Sequence, residues 1–205
     1  PDLPDAHATR GFVLWLLTRF PEAEAEFQRA IAMDPNHFEA RYLYGRACFQ
    51  RGDLERAATL FDEASRVRED HEASYFTAQT MSALKRPADA NAAYRRALPV
   101  IERHLQLNPD DARALTMGAV AFSRLGYRSR GLEWGERAIA VDPDDASISY
   151  NVACLFALEG ECDRAIERLG SAMRAGFAHR DWIEHDPDLD SLRQDPRFLA
   201  LLQER

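Results

Sequence analysis

Small and large apolar positions recur along this chain at a fixed interval. Ala23, Phe27 and Ala30 return as Ala57, Phe61 and Ala64, each 34 positions later, and again as Ala90, Tyr94 and Ala97, each 33 later. A small residue, a bulky one four on and a small one three further share one helical face, so two antiparallel helices can approach closely around one bulky side chain. Each interval therefore holds a helix pair. In the first, helices are expected over about Ala6 to Thr18 and Pro21 to Met33, with Gly11 and Leu14 on the first helix and Pro35 after the second. The second carries Tyr44, Gly45, Cys48, Gly52, Ala57, Phe61 and Ala64, with Gly52 and Asp53 turning the chain between its helices.

The remaining pairs depart from this pattern in readable ways. The third keeps Met81, Ala90, Tyr94 and Ala97 but has Lys85, Arg86 and Pro87 in place of the turn glycine, and Pro87 suits a first helical position. From Ala97 to Ala138 is 41 residues, seven more than 34 and almost two helical turns, which predicts a long second helix to about Leu107. The fourth pair has Phe122, Gly126, Ala138 and Pro143, but Gly131 and Gly135 stand where Ala and Phe are expected, and Trp134 offers the missing bulk from the neighbouring position. The fifth has Tyr150, Ala153, Phe156, Gly160, Ala165, Leu169 and Ala172, with Leu169 in the place of Phe.

A period near 34 residues, with proline following the second helix, resembles the tetratricopeptide repeat. The resemblance implies an all-α, right-handed superhelix in one domain over residues 1–205. Its repeats would cover about 4–37, 38–70, 71–111, 112–145 and 146–176, with a helical cap over 177–205. Asp195 and Pro196 read as an N-cap and a first helical residue, opening a last helix with an apolar stripe of Phe198, Leu199, Leu201 and Leu202. This tail is similar to the segment that closes such arrays at the C-termini of long bacterial signalling and regulatory proteins. A regulatory arm of a kinase, nucleotide cyclase or transcription regulator is therefore one expectation. At the other end, Pro1 to Pro4 resembles a connector from an earlier repeat, and Phe12 to Leu17 leaves the first helix apolar all round. Such a helix asks to be covered, by preceding chain or by a second copy packing on Phe12, Val13, Trp15 and Leu16.

Charge narrows the partner class. With 34 acidic residues against 26 Lys and Arg, the net charge is -8, which disfavours nucleic acid, whose binding rests on clustered cations. No run approaches the 18 or so apolar residues of a membrane helix. The cysteines, Cys48, Cys154 and Cys162, form no C-x-x-C spacing and read as reduced thiols, as a cytoplasmic chain would carry.

In tetratricopeptide proteins the first helices line the concave surface, and the resemblance places Tyr42, Arg46 and Phe49, then Tyr75, Phe76 and Gln79, then Arg113 and Met117, then Asn151 along it. Tyrosine and phenylalanine offer large rigid surfaces that capture a peptide or helix at little entropic cost. Chaperone-binding members grip a C-terminal carboxylate with Lys and Asn positions. Here only Asn151 matches, while Ala8, Phe12, Glu72 and Phe76 occupy the others, so that mode is not expected. No phosphate loop, nucleophile elbow or H-E-x-x-H is present. His179, Asp181, His185 and Asp188 cluster without a ligand spacing and read as caps and turns. The expectation is a non-catalytic interaction scaffold that needs no metal or cofactor.

Overall fold

In a computed structural model of the chain, residues 2–177, 183, 184 and 186–203 are described. The described elements are all helical: α1 (Pro4–Leu16), α2 (Phe20–Met33), α3 (Phe38–Gln50), α4 (Leu54–Val67), α5 (His71–Ala83), α6 (Pro87–Leu107), α7 (Ala112–Arg124), α8 (Arg128–Val141), α9 (Ala146–Leu158) and α10 (Cys162–Arg174), then a 3₁₀ turn (Pro187–Leu192) and α11 (Pro196–Gln203). The first helix starts two residues before its expected place because Pro4 serves as its opening residue. Its end is also earlier, since Thr18 already lies in the left-handed region at φ 59°.

Two local devices set the helix ends. Four first helices are capped by a side chain that accepts a backbone N–H three residues on: His37 from Ala40, Asp70 from Ala73, Asp111 from Ala114 and Asp145 from Ile148. Each turn inside a pair passes through one left-handed residue, in order Thr18, Gly52, Lys85, Gly126 and Gly160. Lys85 thus adopts, at φ 55°, the conformation that glycine supplies elsewhere.

The chain divides into two compact units, residues 1–100 and 101–205. In the first, Leu14, Ala23, Phe27, Tyr44, Ala57, Phe61 and Ala64 belong to one buried cluster. Gly11 lies against the Phe27 ring and Gly45 against the Phe61 ring, so close that a Cβ on either would sit 2.8 or 2.9 Å from an aromatic carbon. The small partner precedes the large one by sixteen residues in both cases.

The second unit keeps the sixteen-residue separation in a shifted register. Gly118 receives the Trp134 ring, and both are one residue earlier than the helix boundaries would place them. Gly135, at the expected aromatic position, instead accommodates Leu155, whose Cδ2 would be 2.7 Å from an added Cβ. Gly131 brings α8 against the α7 backbone, with the Ala119 carbonyl oxygen 3.0 Å from where a Cβ would stand. The tail contributes Ile183, Leu189, Leu192 and Phe198 to the interior. One tail expectation fails: Leu199 faces outward and is 46% exposed, so the last helix buries Phe198 and only partly covers Leu201 and Leu202.

Candidate partner-binding surfaces

Six of the expected groove residues lie in the first unit, and the structure brings them together. Phe76 is the centre. Its ring stacks on Phe61 at 5.4 Å, meets Phe49 and Tyr75 edge-on at 6.0 and 5.7 Å, and tilts against Tyr42 at 6.3 Å. The Arg46 guanidinium stands 5.6 Å from the Phe76 centroid and 5.9 Å from that of Tyr42, within reach of the negative ring faces. The Gln79 amide donates to the Tyr75 hydroxyl at 2.6 Å, and the Tyr42 hydroxyl donates to Glu72. Tyr42 and Tyr75 are buried and act as walls of the patch, whereas Arg46, Phe49, Phe76 and Gln79 are half-buried and form its accessible surface.

The second unit is organised differently. Arg113 and Asn151 are exposed, while Met117 is buried. The neighbouring positions are occupied by the chain's own tail. The Tyr150 hydroxyl donates to Asp186, Cys154 Sγ lies 3.8 Å from the same carboxylate, and Arg124 donates to Asp188 at 2.8 Å. Burial, with Asp186 close by, pushes the Cys154 thiol well up. Burial also raises the Asp188 carboxyl against the opposing pull of Arg124. Of the four residues weighed as a metal cluster, Asp188 is thus bound to Arg124, and His179, Asp181 and His185 lie outside the described residues.

At the chain's beginning, Val13 and Leu16 are 47% and 59% exposed, and Phe12 stacks on Trp15 at 5.7 Å. Sequence reasoning did not single out the cluster beside them. His7, buried between two carboxylates, sets Nδ1 2.5 Å from Glu26 and Nε2 2.7 Å from Asp2. Only an imidazolium can donate to both. The hydrogen bonds to Asp2 and Glu26 accordingly raise the His7 pKa and lower those of its two partners.

Residues 13–70 match the family model described as tetratricopeptide repeat. Over 97% of its length the chain superposes on TTC0263, a thermophilic repeat protein of Thermus thermophilus, at a TM-score of 0.68, with 98% of that chain covered and 21% identity. Residues 13–70 are thus tetratricopeptide repeats, and the chain has the tetratricopeptide fold. The structure of YrrB, described as a repeat protein with an unusual peptide-binding site, matches at a TM-score of 0.54 and 21% identity, over 87% of this chain and 89% of that one. A chloroplastic protein of Arabidopsis thaliana is 33% identical over 86 residues, which is 40% of this chain and 26% of the plant protein. The chain thus spans about a quarter of that relative's length. The tetratricopeptide fold is one that commonly serves as a scaffold for protein interaction, and no described helix is long and apolar enough to cross a membrane.

A further device ties neighbouring tetratricopeptide pairs through side chains that run between successive second helices. Arg56 lies over the Tyr44 ring and pairs with Glu24 at 2.8 Å, Arg130 lies over Phe122 and pairs with Glu102 at 2.9 Å, and Arg164 lies over Phe156 and pairs with Glu136. Each arginine is the third residue of its helix, stacks on the first helix of its own pair and reaches the second helix of the pair before. The third pair has Asp89 at that place, paired with Arg86 of the adjoining turn. A groove of about 580 Å³, lined by residues of α4, α5 and α6 that include Ala58, Met81 and Asp89, lies there.

Proposed function

We propose that this protein binds a peptide or helical segment of a partner protein on the aromatic patch of its first unit. The observation that carries the reading is the Phe49, Phe76 and Arg46 arrangement: two half-exposed rings held by buried or stacked neighbours, with a cation over one of them. Rigid aromatic surface of this kind loses little rotamer freedom on binding, so more of the burial energy, about 25 cal/mol per Å² of apolar area, remains as affinity. Gln79 and Arg46 orient the ligand from one side, and Arg113, Met117 and Asn151 are proposed separately as binding positions of the second unit.

The test uses the half-exposed residues, because Tyr42 and Tyr75 are structural walls whose removal opens the core. Affinity capture from the native lysate, compared between the parent and an Arg46→Glu, Phe49→Ala variant of matched thermal stability, should retain a partner on the parent alone. Identical captured sets would overturn the reading. A second reading, self-association through the first helix, is favoured by the exposure of Val13, Leu16 and Leu17. A sedimentation profile that stays monomeric at high concentration would remove it.

A further inference from the structure

The first-helix face of the second unit already holds a peptide, and it is the chain's own. Between Asp186 and Leu192 the tail forms a short acidic turn. Asp186 uses one carboxylate oxygen to accept the Asp188 backbone N–H at 2.9 Å, which shapes the turn, and the other to accept the Tyr150 hydroxyl. Asp188 accepts from Arg124. Ser191 donates from its hydroxyl to the Ala157 carbonyl at 2.9 Å, and the carbonyls of Glu184 and Asp186 both accept from Arg193. Leu189 and Leu192 are fully buried. On the receiving side, Tyr150 and Cys154 are each more than nine-tenths buried and, with Arg124, present donors. A face that meets its ligand with a hydroxyl, a thiol and a guanidinium is complementary to a carboxylate-rich segment.

We propose that this face is a receptor for an acidic turn of the form Asp-x-Asp-Leu, filled in the resting protein by residues 186–189, and that a partner segment of the same chemistry competes for it. The recognition elements are paired by position. Tyr150 and Cys154 read the first carboxylate, Arg124 reads the second, and the interior that buries Leu189 takes the leucine that follows. The tethered copy acts as an intramolecular competitor at millimolar effective concentration, so it masks the face against weak external ligands and yields to strong or abundant ones.

The probe is a fluorescein-labelled synthetic peptide with the sequence of residues 183–193. It is titrated by fluorescence anisotropy against the full chain and against a full-length Leu189→Ser, Leu192→Ser variant that weakens the tethered copy. The variant should bind roughly tenfold more tightly than the parent, the ratio expected when a tethered competitor near 1 mM is removed from a site of about 100 μM affinity. Arg124→Ala in that background, or Asp186→Asn with Asp188→Asn in the peptide, should abolish the gain. Equal binding by the parent and a folded variant, or indifference to the carboxylates, overturns the proposal. Should the variant not fold, hydrogen exchange on the parent decides. Millimolar peptide should speed exchange of the 186–192 amides, and unchanged protection there overturns the proposal. Phe49→Ala leaves this binding intact, so the outcome is independent of the aromatic patch.

Discussion

Adding one methyl group at Gly118 is the sharpest test of how the second unit packs. A Cβ at that position would lie 2.3 Å from Trp134 Cζ3 and 2.4 Å from Cε3, more than an ångström inside ordinary carbon contact. The indole has little room to retreat, because Trp134 is buried and meets Phe122 edge-on at 5.0 Å. Overpacking of this kind costs about 1–3 kcal/mol, and a clash with two atoms of a rigid ring belongs at the upper end. Helix propensity works the other way, since alanine in mid-helix is favoured over glycine by about 1 kcal/mol. The net expectation for Gly118→Ala is a loss of about 2 kcal/mol, or a fall in Tm of roughly 4–8 °C for a chain of this size. Urea and thermal unfolding followed by circular dichroism measure it. Combining Gly118→Ala with Trp134→Phe should recover part of the loss, because the smaller ring vacates the disputed space. If Gly118→Ala were as stable as the parent, propensity would outweigh packing and the account of the shifted register would be wrong.

Other expectations follow from single sites. Lys85→Gly should stabilise the protein by a few tenths to about 1 kcal/mol in thermal melts, since glycine adopts the left-handed turn without strain, and a loss would refute the backbone argument. The His7 pKa is raised above 6.5, so its contribution is full below that value and is lost as pH rises through the folded pKa. The stability gap between parent and His7→Gln should therefore be wider at pH 6 than at pH 9, and a gap that widened with pH would reverse the sign. Burial pushes the Cys48 thiol up to about 11. With Cys154 also buried, native protein at pH 8 should expose only Cys162 to Ellman's reagent, with the other two reacting after unfolding. Equal rates at all three would contradict the packing.

The repeat was legible because its signal is sterically redundant: the small and large residues of a pair must both be present for two helices to approach. The long α6 was likewise announced by a seven-residue excess, and the Asp195–Pro196 start of the last helix by its capping chemistry. Gly118 was missed because it lies one residue off the repeat register and means nothing until Trp134 is seen lying on it. Arg124, Tyr150 and Cys154 stand on the same first helices as the expected groove residues Arg113, Met117 and Asn151, but no sequence spacing reveals that residues more than thirty positions later return to meet them. His7 escaped for a similar reason, since its two carboxylates come from different elements, Asp2 before α1 and Glu26 within α2.

The arginine that bridges successive pairs has a thermodynamic consequence. A solenoid behaves as a row of elements whose cooperativity is set by nearest-neighbour couplings, so a row with one weaker coupling fails there first. Where Arg56, Arg130 and Arg164 join a ring and a carboxylate of adjoining pairs, opening one pair exposes a face of the next. Where Asp89 turns instead to Arg86 of its own pair, that penalty is smaller. The junction before the third pair is thus a seam that lacks this clamp, and it adjoins the patch proposed to grip a partner. A ligand held by α3 and α5 would span that seam and act as a splint, so binding should be felt as slower opening well away from the residues it touches.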